Sequence, residues 1–353
     1  MSKFKEVLKD IQKEFGKDSA TILGLDGASS RSQNVIPTGL DVLDNYIIGC
    51  GGLPEGRIVE LFSEESGGKS TLSYTFLAAA QRAGGIAVLA ETEQVLDPTR
   101  AVLFGVNLDE LIILNGEYIE ELITQFEKTL DSIADKGAWP CVIVWDSVAQ
   151  TPTKAEHEEG FIGGGRPGDR AKCLSLAMRT LAPKISRGRT CFVAINQVRD
   201  NIGVMFGSKH TTPGGHAIKF AASVRLQIFG GKAIKAGTEH IGKDITLMAM
   251  KNKMAPPFRK SRIRLNYETG WEDEWNTINH AKDRGVIPKG VRFGAAGYAA
   301  ALLGLGWTQS FSEEKIAALK ETASKIQIGK VSEAVPGEID DTDDTDIAPE
   351  GDE

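Results

Sequence analysis

The sequence predicts an α/β fold, a mainly parallel sheet with helices on both faces, organised around a phosphate-binding loop. Three observations predict it. Continuous apolar runs at 58–62, 86–89, 141–145 and 190–195 alternate with helical periodicity, the pattern of parallel strands buried on both faces. Successive runs end in polar residues: Glu93, Asp146-Ser147 and Asn196-Gln197. Those strand ends are where such sheets bind ligands. Between the first run and a helix at 72–80 lies Ser63-Glu64-Glu65-Ser66-Gly67-Gly68-Lys69-Ser70-Thr71, a phosphate loop in its proper strand–loop–helix context.

In that loop the backbone N–H groups around Glu65, Ser66, Gly67, Gly68 and Thr71 converge on phosphates. Lys69 supplies charge near the β- and γ-phosphates, and the Ser70 hydroxyl can ligate Mg²⁺. The expected ligand is a nucleotide with Mg²⁺. The pattern's first glycine is replaced by Ser63, and a positive φ there would cost a serine about 1–3 kcal/mol.

The elements follow in order. Phe4, Val7, Leu8, Ile11 and Phe15 fall at helical spacing, with Ser2 as N-cap and Gly16 as stop. This pattern by itself favours a helix folded back on the core, followed by a polar linker to Asn34. After the loop and its helix come strands at 86–89 and 111–114, then a helix over 119–133. Asp146, ending the run 141–145, is placed to act as the metal-side carboxylate. Glu93 is placed to orient and deprotonate a water. A helix over 169–185 precedes the strand that ends at Gln197. Runs at 223–229, 244–250 and 261–267 lack helices between them and predict an antiparallel extension. A further helix is expected over 312–326, with Trp271, Trp275 and Trp307 in the same segment.

Two stretches are expected to be mobile loops. Residues 158–168 hold five glycines with Arg166, just before Lys172. Residues 199–215 hold Arg199, Phe206, Lys209 and the closing Gly214-Gly215. Basic and aromatic groups of this kind supply phosphate and base contacts to single strands.

Composition narrows the class. At 353 residues, 41% hydrophobic and 25% charged, the chain is that of a globular protein. No apolar run is long enough to span a bilayer, and the first sixteen residues are charged and periodic, unlike a signal peptide. A cytoplasmic location with no membrane partner is expected. Cys50, Cys141, Cys173 and Cys191 show no metal-site spacing and are expected as reduced thiols. From Ser332 onward stand ten acids and no Lys or Arg; without them the formal charge of −7 becomes +3. Such a tail cannot form a core and is expected to be disordered.

The chain resembles the RecA recombinases. The residues that carry the resemblance are Gly51 to Glu60, Leu96-Asp97-Pro98, Val144 to Ala149, Ile202 to Gly207, and Lys251 to Phe258. They occur in family order, and the likeness runs from about Lys5 to Tyr267. It implies a RecA-type P-loop ATPase core over 35–268, with DNA-binding loops at about 157–168 and 198–215. It also implies an amino-terminal oligomerisation helix within 1–34, a small carboxy-terminal α/β domain over 269–331 that gathers duplex DNA, and an acidic tail over 332–353.

The resemblance implies that Glu93 is the general base and Gln197 the γ-phosphate sensor. It makes Lys251 and Lys253 the pair that reaches a neighbouring subunit's ATP, and Asp97 an adenine contact. Arg100 stands where the family usually has a ring-stacking tyrosine. The implied activity is a DNA-dependent ATPase that forms helical filaments on single-stranded DNA and pairs them with homologous double-stranded DNA in recombination and repair. Repressor self-cleavage in the SOS response is a further family trait. A ring helicase and a filament regulator with a decayed ATP site are the competing readings.

Overall fold

The computed structural model describes residues 3–17, 19–20, 34–93, 96–163, 168–200, 210–211, 216–324 and 326–329. The chain divides into two units, 1–35 and 36–353. The first contains helix α1 (Lys3–Phe15), none of whose residues is buried. Phe4, Val7, Ile11 and Phe15 are all exposed.

The larger unit is built on one ten-stranded sheet. Its strands are β1 (Arg57–Ser63), β2 (Ile86–Glu91), β3 (Leu111–Leu114), β4 (Cys141–Asp146), β5 (Thr190–Gln197), β6 (Val224–Phe229), β7 (Ala233–Ala236), β8 (Glu239–Asn252), β9 (Lys260–Asn266) and β10 (Gly270–Trp271). The spatial order is β10-β9-β8-β6-β1-β5-β4-β2-β3, with β7 paired to β8. From β6 to β3 every pairing is parallel, and β7 to β10 join antiparallel.

The apolar runs are continuous because alternate residues feed two cores. Val142 and Val144 enter one core with Val59, Leu61, Leu72 and Phe76. Cys141, Ile143 and Trp145 enter the other, with Phe126, Leu181 and Phe192. Helix α2 (Lys69–Arg82) is buried along its whole middle, Thr71 to Ala80. Helix α4 (Ile119–Lys136) buries Ile119, Leu122, Phe126, Leu130 and Ile133, a single stripe, and stops at Gly137 with φ +62°, a left-handed cap that glycine adopts without strain.

Several elements differ from the sequence expectation. Helix α3 (Pro98–Leu103) was not expected; Asp97 caps it by accepting from Arg100 N–H, and Pro98 opens it. The first half of the expected Gly-rich loop is helix α5 (Lys154–Gly163). Its cause is a capping box: Thr153 Oγ1 accepts from Glu156 N–H (3.2 Å), and Glu156 Oε2 accepts from Thr153 N–H (2.7 Å). That reciprocal pair outweighs the glycines that follow. Helix α6 (Asp169–Arg187) lies where expected, and α7 (Ala217–Ala221) precedes β6.

The sheet runs on past residue 268 to Trp271, whose indole N–H donates to Thr75 Oγ1 on α2 (2.8 Å). Beyond it an α/β domain was expected, but the described residues form helices α8 (Asp273–Asp283), α9 (Ala295–Leu305) and α10 (Glu313–Thr322). They close round Ile278, Val286, Ile287, Ala300 and Leu302. Ser312 caps α10, which ends at Thr322 rather than 326. The acidic tail lies outside the described residues, as does most of 201–215.

Candidate nucleotide site

The carboxyl ends of β1, β2, β4 and β5 open into one cleft of about 1110 Å³. Glu65, Ser66, Gly67, Gly68, Lys69, Ser70, Thr71, Glu93, Asp97, Arg100, Asp146 and Gln197 all line it. They come from segments up to 132 residues apart, brought together by the parallel register of the strands: Ser63 lies beside Gln197, and Glu91 beside Asp146.

The strained residue of the loop is Ser66, at φ +55°, and Ser63 is not among the residues with positive φ. The expectation of strain at Ser63 is therefore corrected. Ser63 ends a regular strand in ladder with β5, and the turn comes three residues later. Its Oγ donates to Glu64 O (2.6 Å) and accepts from Lys69 Nζ (3.0 Å). Lys69 also donates to Glu64 O (2.8 Å). Burial pulls the Lys69 ammonium below its usual range, opposed by Asp146, Glu93 and Glu65. A Cβ on Gly67 would overlap Ser63 Oγ, so the hydroxyl occupies the space that this glycine leaves open.

Asp146 is the deepest acid of the cleft. Ser70 Oγ donates to its Oδ2 (2.8 Å). Burial pushes its carboxyl up to about 6, with Glu93 and Glu91 adding to the rise and the Ser70 hydrogen bond opposing it. A buried carboxylate beside a serine hydroxyl is an all-oxygen donor pair, and a hard cation would relieve the cost of its ionisation. Among the described residues no group of three or more His, Cys, Asp or Glu could hold a metal. Mg²⁺ takes one or two protein oxygens and completes its shell with phosphates and water.

Glu93 is held from three sides. Ser147 Oγ donates to its Oε1 (2.7 Å), Gln197 Nε2 approaches the same oxygen at 3.5 Å, and its own N–H donates to Glu91 Oε1 (2.9 Å). Ser147 is in turn tied to Thr92, whose Oγ1 accepts from its N–H (3.1 Å). Asp97 spends one carboxylate oxygen on the cap of α3.

The structure does not bring Lys251 and Lys253 to this cleft. Lys251 lies opposite Arg225, level with Glu60, toward the other end of the sheet from the phosphate loop. Its ammonium donates to Lys219 O (2.8 Å) and Phe220 O (3.1 Å). Lys172 is exposed on α6 and pairs with Asp169 (3.5 Å). The side chains of Arg166, Arg199, Phe206 and Lys209, with Gly214 and Gly215, lie outside the described residues.

Sequence reasoning missed Lys243, Tyr267, Glu268 and Gln150, which also line the cleft. Nothing local marks them; the antiparallel strands carry the first three past the loop. It also missed a buried ion pair behind the site. Fully buried Glu60 accepts from Arg225 Nε and, through its other oxygen, from Asn196 Nδ2 (3.2 Å), next to Gln197. The thiols of Cys141 and Cys191 are buried, those of Cys50 and Cys173 half-buried, and none is in a disulfide.

A family model described as the RecA N-terminal domain matches residues 2–272. The chain belongs to the RecA family. The protein RecA of Methylococcus capsulatus is 42% identical over 282 residues, covering 80% of this chain and 79% of that protein. RecA of Thermus aquaticus is 40% identical over 283 residues, covering 80% and 81%. The chromosomal RecA of Lactococcus lactis is 41% identical over 288 residues, covering 80% and 72%. Membership places the chain among recombinases of recombination and DNA repair, and the mainly parallel core agrees with the RecA-type fold expected from the sequence. No helix among the described residues is long and apolar enough to cross a membrane.

Proposed function

We propose that the chain is a DNA-dependent ATPase that polymerises on single-stranded DNA, with ATP–Mg²⁺ bound in the cleft, and pairs the filament with homologous double-stranded DNA in the cytoplasm. The observation that carries this is the convergence of the phosphate loop, Ser70–Asp146 and Ser147–Glu93–Gln197 in one cleft of a RecA-family chain. A decayed nucleotide site would not keep all three.

The loop's N–H groups and Lys69 bind the phosphate chain, and Lys69 must leave Ser63 and Glu64 O to do so. Ser70 Oγ and Asp146 would hold Mg²⁺. Held there, Mg²⁺ would supply positive charge that offsets the negative charge developing on the phosphate chain. Glu93 orients the attacking water and takes its proton; the Ser147 hydroxyl fixes which oxygen faces the water. Gln197, at the end of β5, approaches Glu93 (3.5 Å) and in sequence directly precedes the segment carrying Arg199, Phe206 and Lys209. DNA held by that segment would thereby be coupled to the γ-phosphate, a reciprocal linkage.

Lys251 and Lys253 act on the ATP of an adjacent subunit, and the exposed apolar face of α1 supplies a subunit contact. Glu93→Gln tests the assignment. It should bind ATP and single-stranded DNA and turn over at least ~100-fold more slowly. Near-normal turnover would remove Glu93 from the chemistry, and turnover of the parent protein that ignores DNA would remove the recombinase reading.

A further inference from the structure

Lys243 enters the nucleotide cleft from outside the phosphate loop and outside every motif quoted above. Antiparallel pairing sets its position. Phe229 at the end of β6 lies opposite Thr246, so the first residues of β8 extend past the carboxyl ends of the parallel strands and over the loop. There the Lys243 ammonium donates to Ser66 O (2.7 Å). It also lies 4.0 Å from the point where a Cβ on Gly68 would stand. Ser66, at φ +55°, and Gly68, at φ +98°, are both left-handed, and Gly68 is the N-cap of α2.

No carboxylate among the described residues pairs with Lys243. Arg100 acts on it from α3, and Lys243 in turn acts on Lys69. A half-buried ammonium has three donors; this one gives one to a neutral carbonyl while two other cations share its cleft. Burial, with Arg100 behind it, lowers the Lys243 pKa. Such a group is poorly satisfied without an anion and gains a charge-assisted bond when one arrives.

We propose that Lys243 is a second phosphate-binding lysine of this site, contacting the nucleotide's phosphate chain from β8 and setting nucleotide affinity. The inference rests on the nucleotide-site reading above. Its ligand is a polyphosphate, and it treats ADP and ATP alike because it approaches the outer side of the loop rather than the Glu93 end. A contact made equally in ground and transition states lowers KM and leaves kcat nearly unchanged.

The test is titration of a fluorescent ADP analogue, with ADP, ATP and adenosine as competitors, on the parent chain and three variants. Lys243→Met keeps the apolar stem. Lys243→Gln can still donate to Ser66 O but carries no charge. Lys243→Arg keeps the charge. Met and Gln should each weaken ADP and ATP by about 10-fold, the scale of one charged hydrogen bond. Arg should stay within about 3-fold, adenosine should compete equally in all four, and the loss in KM should not be matched in kcat.

A Met variant that binds like the parent overturns the proposal. A Gln variant that binds like the parent shows a mechanical brace on Ser66 and overturns it equally. Adenosine weakened in step with ADP would mean a deformed cleft, again against it. Failure of the parent chain itself to bind the analogue would overturn the nucleotide-site reading first, so the two failures are separate results.

Discussion

Within the phosphate loop, Ser63 and Gly67 act as a pair. The phosphate-loop pattern has glycine where Ser63 stands, and the hydroxyl fills the space next to Gly67 while holding Lys69. Gly67→Ala should therefore force the loop open and weaken ATP binding by up to ~100-fold, the scale of about 1–3 kcal/mol of overpacking. Adding Ser63→Gly removes the obstructing atom, leaving Glu64 O at 3.3 Å as the nearest neighbour, and should restore most of the loss. Equal binding by the single and double variants, read by nucleotide titration, would show that the two positions are not coupled. The serine was legible as a departure from pattern. Its partner was not, because the contact depends on where the chain turns, and it turns at Ser66.

At the scale of elements, β8 has different chemistry at its two ends. Lys243 lies over this subunit's loop, whereas Lys251, level with Glu60, lies toward the sheet's opposite end. A strand rises about 3.3 Å per residue, so eight residues separate the two lysines by roughly 26 Å. No rotamer change spans that distance, and Lys251 cannot serve the cleft of its own chain. Lys251→Ala should keep nucleotide affinity in an isolated subunit and lose DNA-stimulated turnover. Mixed with Lys69→Ala protein, it should recover part of that turnover, since some interfaces then pair an intact loop with an intact lysine. Mixed assemblies that form but stay inactive would assign Lys251 to its local role, bonding Lys219 O and Phe220 O. The strand itself was readable from its apolar alternation, but which subunit its lysines serve was readable only through the resemblance.

For the whole larger unit, the joint between the sheet domain and α8–α9 is made of acids. Asp273 Oδ1 accepts from Asp41 N–H (2.9 Å), and Tyr298 Oη donates to Asp41 Oδ2 (2.6 Å). Burial first, then Asp41, pushes Asp273 up to about 8, and burial pushes Asp44 up to about 7. Folded-state pKa values above the unfolded value mean that the folded chain holds more protons, so stability falls as pH rises from about 4 through 7 and 8. His280, pulled down to about 3 chiefly by burial, acts in the opposite sense, but only below its unfolded value near 6.5. Between pH 6.5 and 8 the opposing slope from His280 fades and the acids come to dominate, at most about 1.4 kcal/mol per pH unit for each proton. Asp273→Asn keeps the acceptor for Asp41 N–H and should flatten the fall in melting temperature over that window. An unchanged slope would show that Asp273 is not the titrating group.

By itself the sequence determined what repeats locally or follows a short pattern. The parallel strands, α2, α4, α6, the phosphate loop and the strand-end acids Glu93 and Asp146 were all placed by periodicity and spacing, which need only a few neighbouring residues. The capping box Thr153–Glu156 is equally local, although five glycines follow it. Only the tertiary structure decided the contacts that depend on register between distant strands. Lys243 reaches Ser66 across 177 residues, Arg225 meets Glu60 across 165, and Ser147 meets Glu93 across 54. A shift of one residue in strand pairing turns every side chain to the other face, so such partners follow from the assembled sheet and carry no signature in either segment alone.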